Sequence, residues 1–318
     1  MYRSKTHWKY DKKSSEKREL TMRLGLCCLF VEEAIRFRTT TATAQAKLSR
    51  KNRTTKLREL AAHNAASLYA AIEYCATHDI GCFRVNSQIL PLKTHPKLGY
   101  DTDLLGKEVI EDFQRCGELA RSTGTRISFH PDQFVVLSSP EPWVVKSSLA
   151  ELEYQAEVAE WIGADVINVH GGGGYGDKPS ALKRLSIAVC DLSDRARSRL
   201  TLENDDRTYT PSDLLPVCHD VCLPMVYDVH HHRCHGDELS SDAATQRAME
   251  TWNREPLFHV SGPRDGWGSD NPRSHSDYID LRDFPVVWDQ LDITVEVEAK
   301  AKELAVRKLR AALKRRSK

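Results

Sequence analysis

From residue 126 onward, one short apolar run after another ends in an ionisable side chain. Nearly continuous apolar runs are typical of buried parallel strands, and in a barrel the carboxyl ends of such strands meet at one face. The side chains at these ends are His130, His170, Glu203, Asp228, His259 and Glu298. One such residue is commonly structural, but six in succession favour a shared site, because uncompensated charges in one cleft are costly.

Mixed nitrogen and oxygen donors indicate which kind of ion such a site would hold. They suit zinc, manganese or iron rather than calcium. The donors outnumber the four that one tetrahedral ion requires, so we expect two or three divalent ions. Glu203 is central in strand order and is the candidate bridging ligand, because its two oxygens can bind different ions. Clustered divalent cations favour phosphoryl transfer, since they activate water and neutralise the phosphate.

Eight apolar runs alternate with segments of helical periodicity, which is the pattern of a (β/α)8 barrel. The predicted strands are RLGLCC near residue 23, CFRV, RISFH, DVINVH, RLTLEN, MVYDV, LFHV and ITVEVEA. The predicted helices cover residues 57–75, 103–122, 143–163, 179–198, 211–222, 242–252, 284–291 and 299–315. We therefore predict an α/β (TIM) barrel as a single domain over residues 22–318, after a basic, disordered extension over residues 1–21.

Composition and charge narrow the class of protein. The chain is 40% hydrophobic and 29% charged, as in soluble globular proteins, and its net charge of +1 indicates no global attraction to a polyanion. Locally, RFRTTTATAQAKLSRKNRTTKLREL and VRKLRAALKRRSK are strongly basic; they are either solvated faces or contacts for a polyanion. Nine cysteines without a CxxC pair, and no apolar leader or span, predict a soluble cytoplasmic protein without membrane contact.

The glycine run at 171–176, GGGGYG, matches the dinucleotide-binding pattern G-x-G-x-x-G between a predicted strand and a predicted helix. A glycine run satisfies many patterns, however, and His170 would have no role in a phosphate site of that kind. We favour a flexible loop at the barrel mouth that lets a bulky substrate backbone approach.

Several blocks of this sequence together resemble the UV damage endonuclease family, which is built on the endonuclease IV type of barrel. They are FRVNSQILPLKTHP, SFHPDQF, VINVHGGGGYGDK, LTLENDD, YDVHHH, HVSGP, RSHSDYID and VEVEAKAKE. They follow the family's order and span roughly residues 22 to 305. The resemblance implies cleavage of the phosphodiester immediately 5′ of a UV photoproduct in double-stranded DNA, leaving a 3′-hydroxyl, with three metal ions that are commonly manganese.

The resemblance also implies roles for single residues. His130, His170 and Glu203 would hold one ion. Glu203, Asp228, His259 and Glu298 would hold the second, and His231 and His275 the third. His95 would lie beside the scissile phosphate, and Lys300 would orient Glu298 or meet phosphate. The residues expected to contact DNA or the lesion are Asn86, Gln88, Gln133, Phe134 and Tyr175.

Three positions depart from the family's pattern. Family members insert a Gln-Tyr pair into the duplex, whereas this chain has Gln133 and Phe134; the ring retains the stacking surface of a wedge. Leu26 replaces a tyrosine near the end of the first strand. Leu257 replaces a carboxylated lysine of some members, so the third ion has fewer protein ligands unless His230 or His232 compensates.

Two other functions compete with a monomeric nicking endonuclease. Sugar isomerases and epimerases on related barrels also place His, Glu and Asp at strand ends. They need neither the ligands of a third ion nor a wedge, so His231, His275 and the DQF motif argue against them. A non-catalytic DNA-binding protein with the same fold would not need both complete ligand sets.

Overall fold

The computed structural model describes residues 22–316, which form an eight-stranded parallel barrel with helices outside it. The strands are β1 Arg23–Cys27, β2 Cys82–Val85, β3 Arg126–Phe129, β4 Val166–His170, β5 Leu200–Glu203, β6 Met225–Val226, β7 Leu257–Val260 and β8 Thr294–Val297. Each coincides with a predicted apolar run. The predicted α/β barrel is therefore confirmed, while the extension over residues 1–21 lies outside the described residues.

Hydrogen-bonded neighbours follow the order β6-β5-β4-β3-β2-β1-β8-β7. The remaining seam, between β6 and β7, closes through a single parallel bridge between Asp228 and His259. The sixth strand has only two residues, because beyond them the Asn204 side chain, and not a neighbouring strand, forms hydrogen bonds with the backbone of Asp228. The Asn204 amide donates to the Asp228 carbonyl at 2.9 Å and accepts from the Asp228 N–H at 3.0 Å. The seam is thus held at the residues that face the predicted site.

The helices are α1 Ala42–Ala46, α2 Arg50–Thr77, α3 Lys107–Thr123, α4 Pro142–Ile162, α5 Lys178–Cys190, α6 Asp194–Arg197, α7 Pro211–Val221, α8 Val229–Cys234, α9 Ser241–Glu250 and α10 Lys302–Arg316. Turns of 3-10 helix lie at Thr102–Leu105, Leu281–Asp283 and Val286–Gln290. The predicted helix 103–122 is interrupted at Gly106, whose φ of 81° is not helical. The predicted helix 179–198 is divided because Ser193 caps a new helix, α6. Gly163, at φ 73°, ends α4 as predicted.

The three consecutive histidines lie on helix α8, which was not among the helices predicted from the sequence. Asp228 begins this helix as its N-cap, and its carboxylate accepts the His231 N–H at 2.7 Å. The six-residue helix rotates the histidines apart, so that His230 and His232 are buried while His231 faces the barrel mouth. Histidine has modest helix propensity, and tertiary contacts set this segment.

The glycine-rich loop after β4 is fixed by packing. The Gly173 carbonyl accepts the hydroxyls of Ser138 at 3.2 Å and Tyr209 at 3.1 Å. A Cβ on Gly171 would lie 2.6 Å from the Tyr209 ring, and Gly172 has φ +85°. Close approach therefore requires glycine at residue 171, and the positive φ favours it at residue 172. The dinucleotide alternative is wrong, because the loop belongs to a barrel and not to an open doubly wound sheet.

Two sequence expectations about the whole chain can be compared with the described part. No helix within residues 22–316 has the length and apolar character needed to cross a membrane. All nine cysteines are free, and burial raises the pKa of Cys116 and of Cys218 to about 12. These two thiols are therefore protonated and inert at neutral pH.

The packing of the glycine-rich loop predicts different effects for two substitutions. Gly171→Ala should lower the free energy of unfolding by about 1–3 kcal/mol, because the added methyl overlaps the Tyr209 ring. Gly174→Ala is the matched control, since its nearest neighbour would lie at 3.4 Å, an ordinary contact. Chemical denaturation of both variants measures the difference. Equal stability of the two would contradict the assignment of a packing role to Gly171.

Candidate metal centre

Glu203 lies at the centre of the barrel mouth, and its fully buried carboxylate contacts four histidine rings. Its Oε2 is 3.0 Å from His130 Nε2 and 3.9 Å from His170 Nε2. Its Oε1 is 3.0 Å from His259 Nδ1 and 3.3 Å from His231 Nδ1. These rings come from the ends of β3, β4 and β7 and from α8. The strand ends predicted from the sequence therefore converge on one carboxylate.

Three groups of donor atoms lie close enough together to hold ions. In each group the donor atoms are within 4.8 Å of one another. The first group is His130 with Glu203 and His259, and the second is His170 with Glu203 and His231. The third group is Asp228 with His259 and Glu298. The third group matches the expected second ligand set without Glu203. His231, expected at the third ion, also places its Nδ1 3.3 Å from Glu203 Oε1. Two ions sharing Glu203 agree with this arrangement.

Charge in this cluster is balanced by the histidines. Burial would raise the pKa of Glu203, but His259 and His170 hold it well below its usual range. Burial would lower the pKa of His259, yet the carboxylates of Glu203 and Glu296 raise it well above its usual range. The pKa of His231 is raised in the same sense, because the Asp228 and Glu203 charges outweigh burial. The carboxylates are thus ionised and require a positive partner, which is either a proton or a cation.

Two charged residues beneath the cluster were not predicted from the sequence. Glu296, 1% exposed, places Oε2 3.0 Å from His259 Nε2 and 3.2 Å from Arg84 Nη1. The same Arg84 nitrogen is 2.6 Å from Glu298 Oε1. Arg84 therefore joins the two carboxylates, and Glu296 faces the ring nitrogen of His259 that points away from Glu203. Strand alternation was the available signal, because Glu296 and Glu298 are two residues apart and share a face.

A buried amide also supports the central carboxylate. Asn168 donates a hydrogen bond to Glu203 Oε2 and accepts one from the Thr201 hydroxyl at 2.9 Å. Asn168 is two residues before His170 on β4, so the same alternation directs both side chains into the barrel. The carboxylate is thereby held from below while the histidines surround it.

The two flanking histidines of α8 have different surroundings. Both ring nitrogens of His232 are engaged, one 2.8 Å from the Tyr227 hydroxyl and the other 2.9 Å from Asp237 Oδ1. His232 is therefore unavailable as a replacement ligand. His230 is 1% exposed, and its Nδ1 has no hydrogen-bond partner within residues 22–316. Its ring centroid lies 5.4 Å from that of His275.

His275 lies at the edge of the cluster, with Nδ1 3.7 Å from Glu298 Oε2 and its ring centroid 6.4 Å from that of His231. Leu257 is fully buried in an apolar layer with Val166 and Val226, so it offers no donor in place of a carboxylated lysine. Leu26 is likewise fully buried and offers no surface to DNA.

Two expected catalytic residues stand apart from the cluster. His95 Nδ1 accepts the backbone N–H groups of Lys97 and Leu98 at 3.2 Å each, and no ion pair joins His95 to the cluster in the described part of the chain. Lys300 is exposed, and the cation that contacts Glu298 is Arg84. Arg84 therefore makes the contact to Glu298 that was one of the two roles expected for Lys300, and contact of Lys300 with phosphate stays a prediction.

A cleft of about 650 Å³ adjoins the cluster and is lined by the residues expected at the lesion, Asn86, Gln88, Gln133 and Phe134. Phe134 is 78% exposed, which is high for a phenylalanine on an otherwise ordered loop. Gln88 spans the cleft wall between the Thr39 hydroxyl at 3.0 Å and Asp132 Oδ2 at 3.4 Å. Tyr175, half exposed, instead faces Arg184, with the guanidinium 5.7 Å from its ring.

The residues present fit divalent ions. Asp228 Oδ2 and His170 Nδ1 are buried and have no hydrogen-bond partner within residues 22–316. An unsatisfied buried carboxylate oxygen is costly, and a cation would remove that cost. The donor set of imidazole nitrogens and carboxylate oxygens suits zinc, manganese or iron.

Glu296 should affect metal binding without being a ligand. Glu296→Gln keeps the side-chain shape but removes the charge facing His259 and Arg84, and we expect a loss of Mn²⁺ affinity of about 10- to 100-fold. Electron paramagnetic resonance of free Mn²⁺ during titration measures this. The control is Glu118→Gln, an exposed carboxylate on α3. Unchanged Mn²⁺ affinity in Glu296→Gln would contradict the supporting role.

Comparison with known proteins identifies the family. The model of the family described as UV-endonuclease UvdE matches residues 22–318. A UV DNA damage endonuclease of Deinococcus radiodurans is 36% identical over 309 residues, covering 92% of this chain and 96% of the relative.

Solved structures agree with this result. The crystal structure of SacUVDE superimposes with a TM-score of 0.83 at 26% identity, covering 93% of this chain and 99% of that one. Endonuclease IV from Thermus thermophilus, at 17% identity and a TM-score of 0.61, covers 92% of this chain and 99% of its own and shares the fold. This chain belongs to the UvdE family of UV DNA damage endonucleases, as its sequence motifs predicted.

Proposed function

We propose that this endonuclease hydrolyses the phosphodiester immediately 5′ of a UV photoproduct, either a cyclobutane dimer or a 6-4 photoproduct, in duplex DNA. The product has a 3′-hydroxyl from which excision repair can start. The observation that carries the proposal is the buried Glu203 carboxylate within 4 Å of four histidines, beside an open cleft with an exposed aromatic ring.

Two or three divalent ions, with Mn²⁺ the first candidate, would occupy the cluster. Glu203 would bridge, with His130 and His170 on the side of its Oε2 and Asp228, His259 and Glu298 on the side of its Oε1. His231 and His275 would hold the third ion, near the His230 ring, whose Nδ1 has no hydrogen-bond partner within residues 22–316. When bound, such ions lower the pKa of a coordinated water and neutralise charge on the phosphate.

The protein's own residues would keep this centre in one geometry. Arg84 fixes Oε1 of Glu298 at 2.6 Å, while Oε2 faces His275 Nδ1 at 3.7 Å. Asn168 fixes Glu203 from below. Preorganised groups of this kind need no rearrangement during reaction, which is the main source of electrostatic catalysis. Exposed Lys300 would contact the phosphate backbone at the mouth.

Damage recognition would rest on deformability. A crosslinked pyrimidine pair stacks poorly, so it costs less to kink or extrude than an intact step. The cleft beside the cluster would accept the extruded nucleotides, and Gln133 and Phe134 would fill the space left in the duplex. The edges of the intact bases would not be read, in keeping with a lesion that can occur in many sequences.

The alternatives are less well supported. A sugar isomerase or epimerase requires neither the additional histidines His275 and His231 nor an exposed ring at the cleft. A non-catalytic DNA-binding protein would have no reason to retain a fully buried carboxylate ringed by imidazoles, because that cluster is costly without a cation.

Removal of the central carboxylate charge tests the reaction. Glu203→Gln should lower Mn²⁺-dependent nicking of UV-irradiated duplex DNA by more than about 100-fold, beyond the loss typical of a residue that only supports a ligand. Glu118→Gln should nick like the wild type. A correctly folded Glu203→Gln protein with full activity, judged by its melting temperature and nicking rate, would refute the role of Glu203.

The aromatic wedge can be tested separately. Phe134→Ala should reduce kcat/KM on a photoproduct duplex by about 5- to 100-fold, because base–aromatic stacking contributes about 1–3 kcal/mol. Phe134→Tyr should retain activity, and Tyr69→Ala, another exposed aromatic on α2, should have no effect. Wild-type kinetics for Phe134→Ala would show that the ring does not enter the duplex.

A further inference from the structure

The segment of residues 34–58, between β1 and the middle of α2, has a charge pattern that the proposed reaction does not use. It contains eight Lys and Arg residues and no Asp or Glu, whereas the whole chain has 46 basic and 45 acidic residues. A basic stretch of this kind within a nearly neutral chain is a local field, which can attract a polyanion to one side of the molecule.

Most of these cations have no carboxylate partner. Within residues 22–316, Lys56 pairs with Glu59, but Arg36, Arg38, Lys47, Arg50 and Lys51 are exposed and lie in no ion pair. We call these five residues the basic rim. Two of them occupy the first turn of α2, where the helix dipole favours acidic side chains. The two positive charges at the positive end of the helix dipole destabilise the protein alone, and a bound anion would offset this repulsion.

The backbone beneath the basic rim is held in place. Asn64, fully buried on α2, accepts the Arg38 N–H at 2.8 Å and donates to the Arg38 carbonyl at 2.9 Å. The Ser67 hydroxyl donates to the Arg36 carbonyl at 2.9 Å. Between the two arginines, the Phe37 ring stacks on Phe83 at 6.2 Å. The chain therefore packs Phe37 inward and presents the exposed Arg38 side chain from an ordered backbone, while the exposed Arg36 guanidinium donates to the carbonyls of Ile35 and Val31.

The basic rim also adjoins the lesion cleft. Arg38 and Thr39 line the cleft together with Gln133 and Phe134. The Thr39 hydroxyl donates to Gln88 at 3.0 Å, which ties the segment to the loop after β2. A duplex that enters the cleft at a lesion would extend its flanking backbone along this segment.

We propose that the basic rim binds the phosphate backbone of the duplex flanking the lesion, with Arg38 contacting the phosphates nearest the cleft. The inference rests on the proposed function, because it assumes that DNA lies across the barrel mouth. Such contacts fix the position of the duplex and carry no sequence information. They raise affinity for damaged and undamaged DNA alike and leave the chemical step unchanged.

Fluorescence anisotropy with an undamaged duplex, at several salt concentrations and with Mn²⁺ present, tests this inference. Each phosphate contact contributes a slope of about 0.9 to the dependence of log K on log salt. Arg38→Ala should therefore lower that slope by about one and weaken binding about fivefold at about 0.15 M salt. Arg50→Ala/Lys51→Ala should lower the slope by about two. In nicking assays on photoproduct duplex, the loss should appear mainly in KM.

Arg121→Ala is the matched control, because Arg121 is an exposed arginine in the last turn of α3, at the opposite end of the barrel. Wild-type affinity and salt slope in the rim variants, or an equal loss in Arg121→Ala, would overturn the inference. A protein that binds duplex through the rim yet never nicks a photoproduct contradicts the proposed function alone. A protein that nicks but binds equally well without the rim contradicts the rim alone.

Discussion

Buried negative charge is the constraint on which this structure depends. Glu203, Asp228 and Glu296 are almost completely inaccessible, and Glu298 is close to them. Carboxylates so placed require compensation, and Arg84 supplies a single positive charge at the base of the group. The remainder falls to histidines and, in the proposed enzyme, to metal ions. The barrel mouth therefore presents buried carboxylates and imidazoles that could hold cations.

The short seam between β6 and β7, where the barrel closes, lies at the candidate metal site. Within residues 22–316 a single parallel bridge, between Asp228 and His259, joins β6 to β7, and both residues belong to one candidate donor group. The Asn204 side chain and the N-capped helix α8 hold the same corner. Binding of a cation between Asp228 and His259 would thus also secure barrel closure, so stability and metal binding are expected to be linked.

The sequence predicted the eight strands and the residues at their ends, because buried parallel strands leave a clear apolar pattern and the ionisable residues interrupt it. The supporting layer was missed where its signal was a single polar residue inside such a run, as for Arg84 and Glu296. Helix α8 was missed because its start depends on Asp228 as an N-cap. The engagement of His232 with Asp237, five residues further along the chain, depends on how the chain turns after α8, which the apolar pattern does not report.

The central claim is that cations held around Glu203 direct cleavage to one side of a lesion. The most direct test uses metal-stripped protein and an end-labelled duplex with one defined photoproduct, to which each divalent metal is added in turn. We predict a single nick immediately 5′ of the photoproduct, with a 3′-hydroxyl that a polymerase can extend, and only when a metal is present. Cleavage without metal, or equal cleavage of an undamaged duplex, would contradict the account.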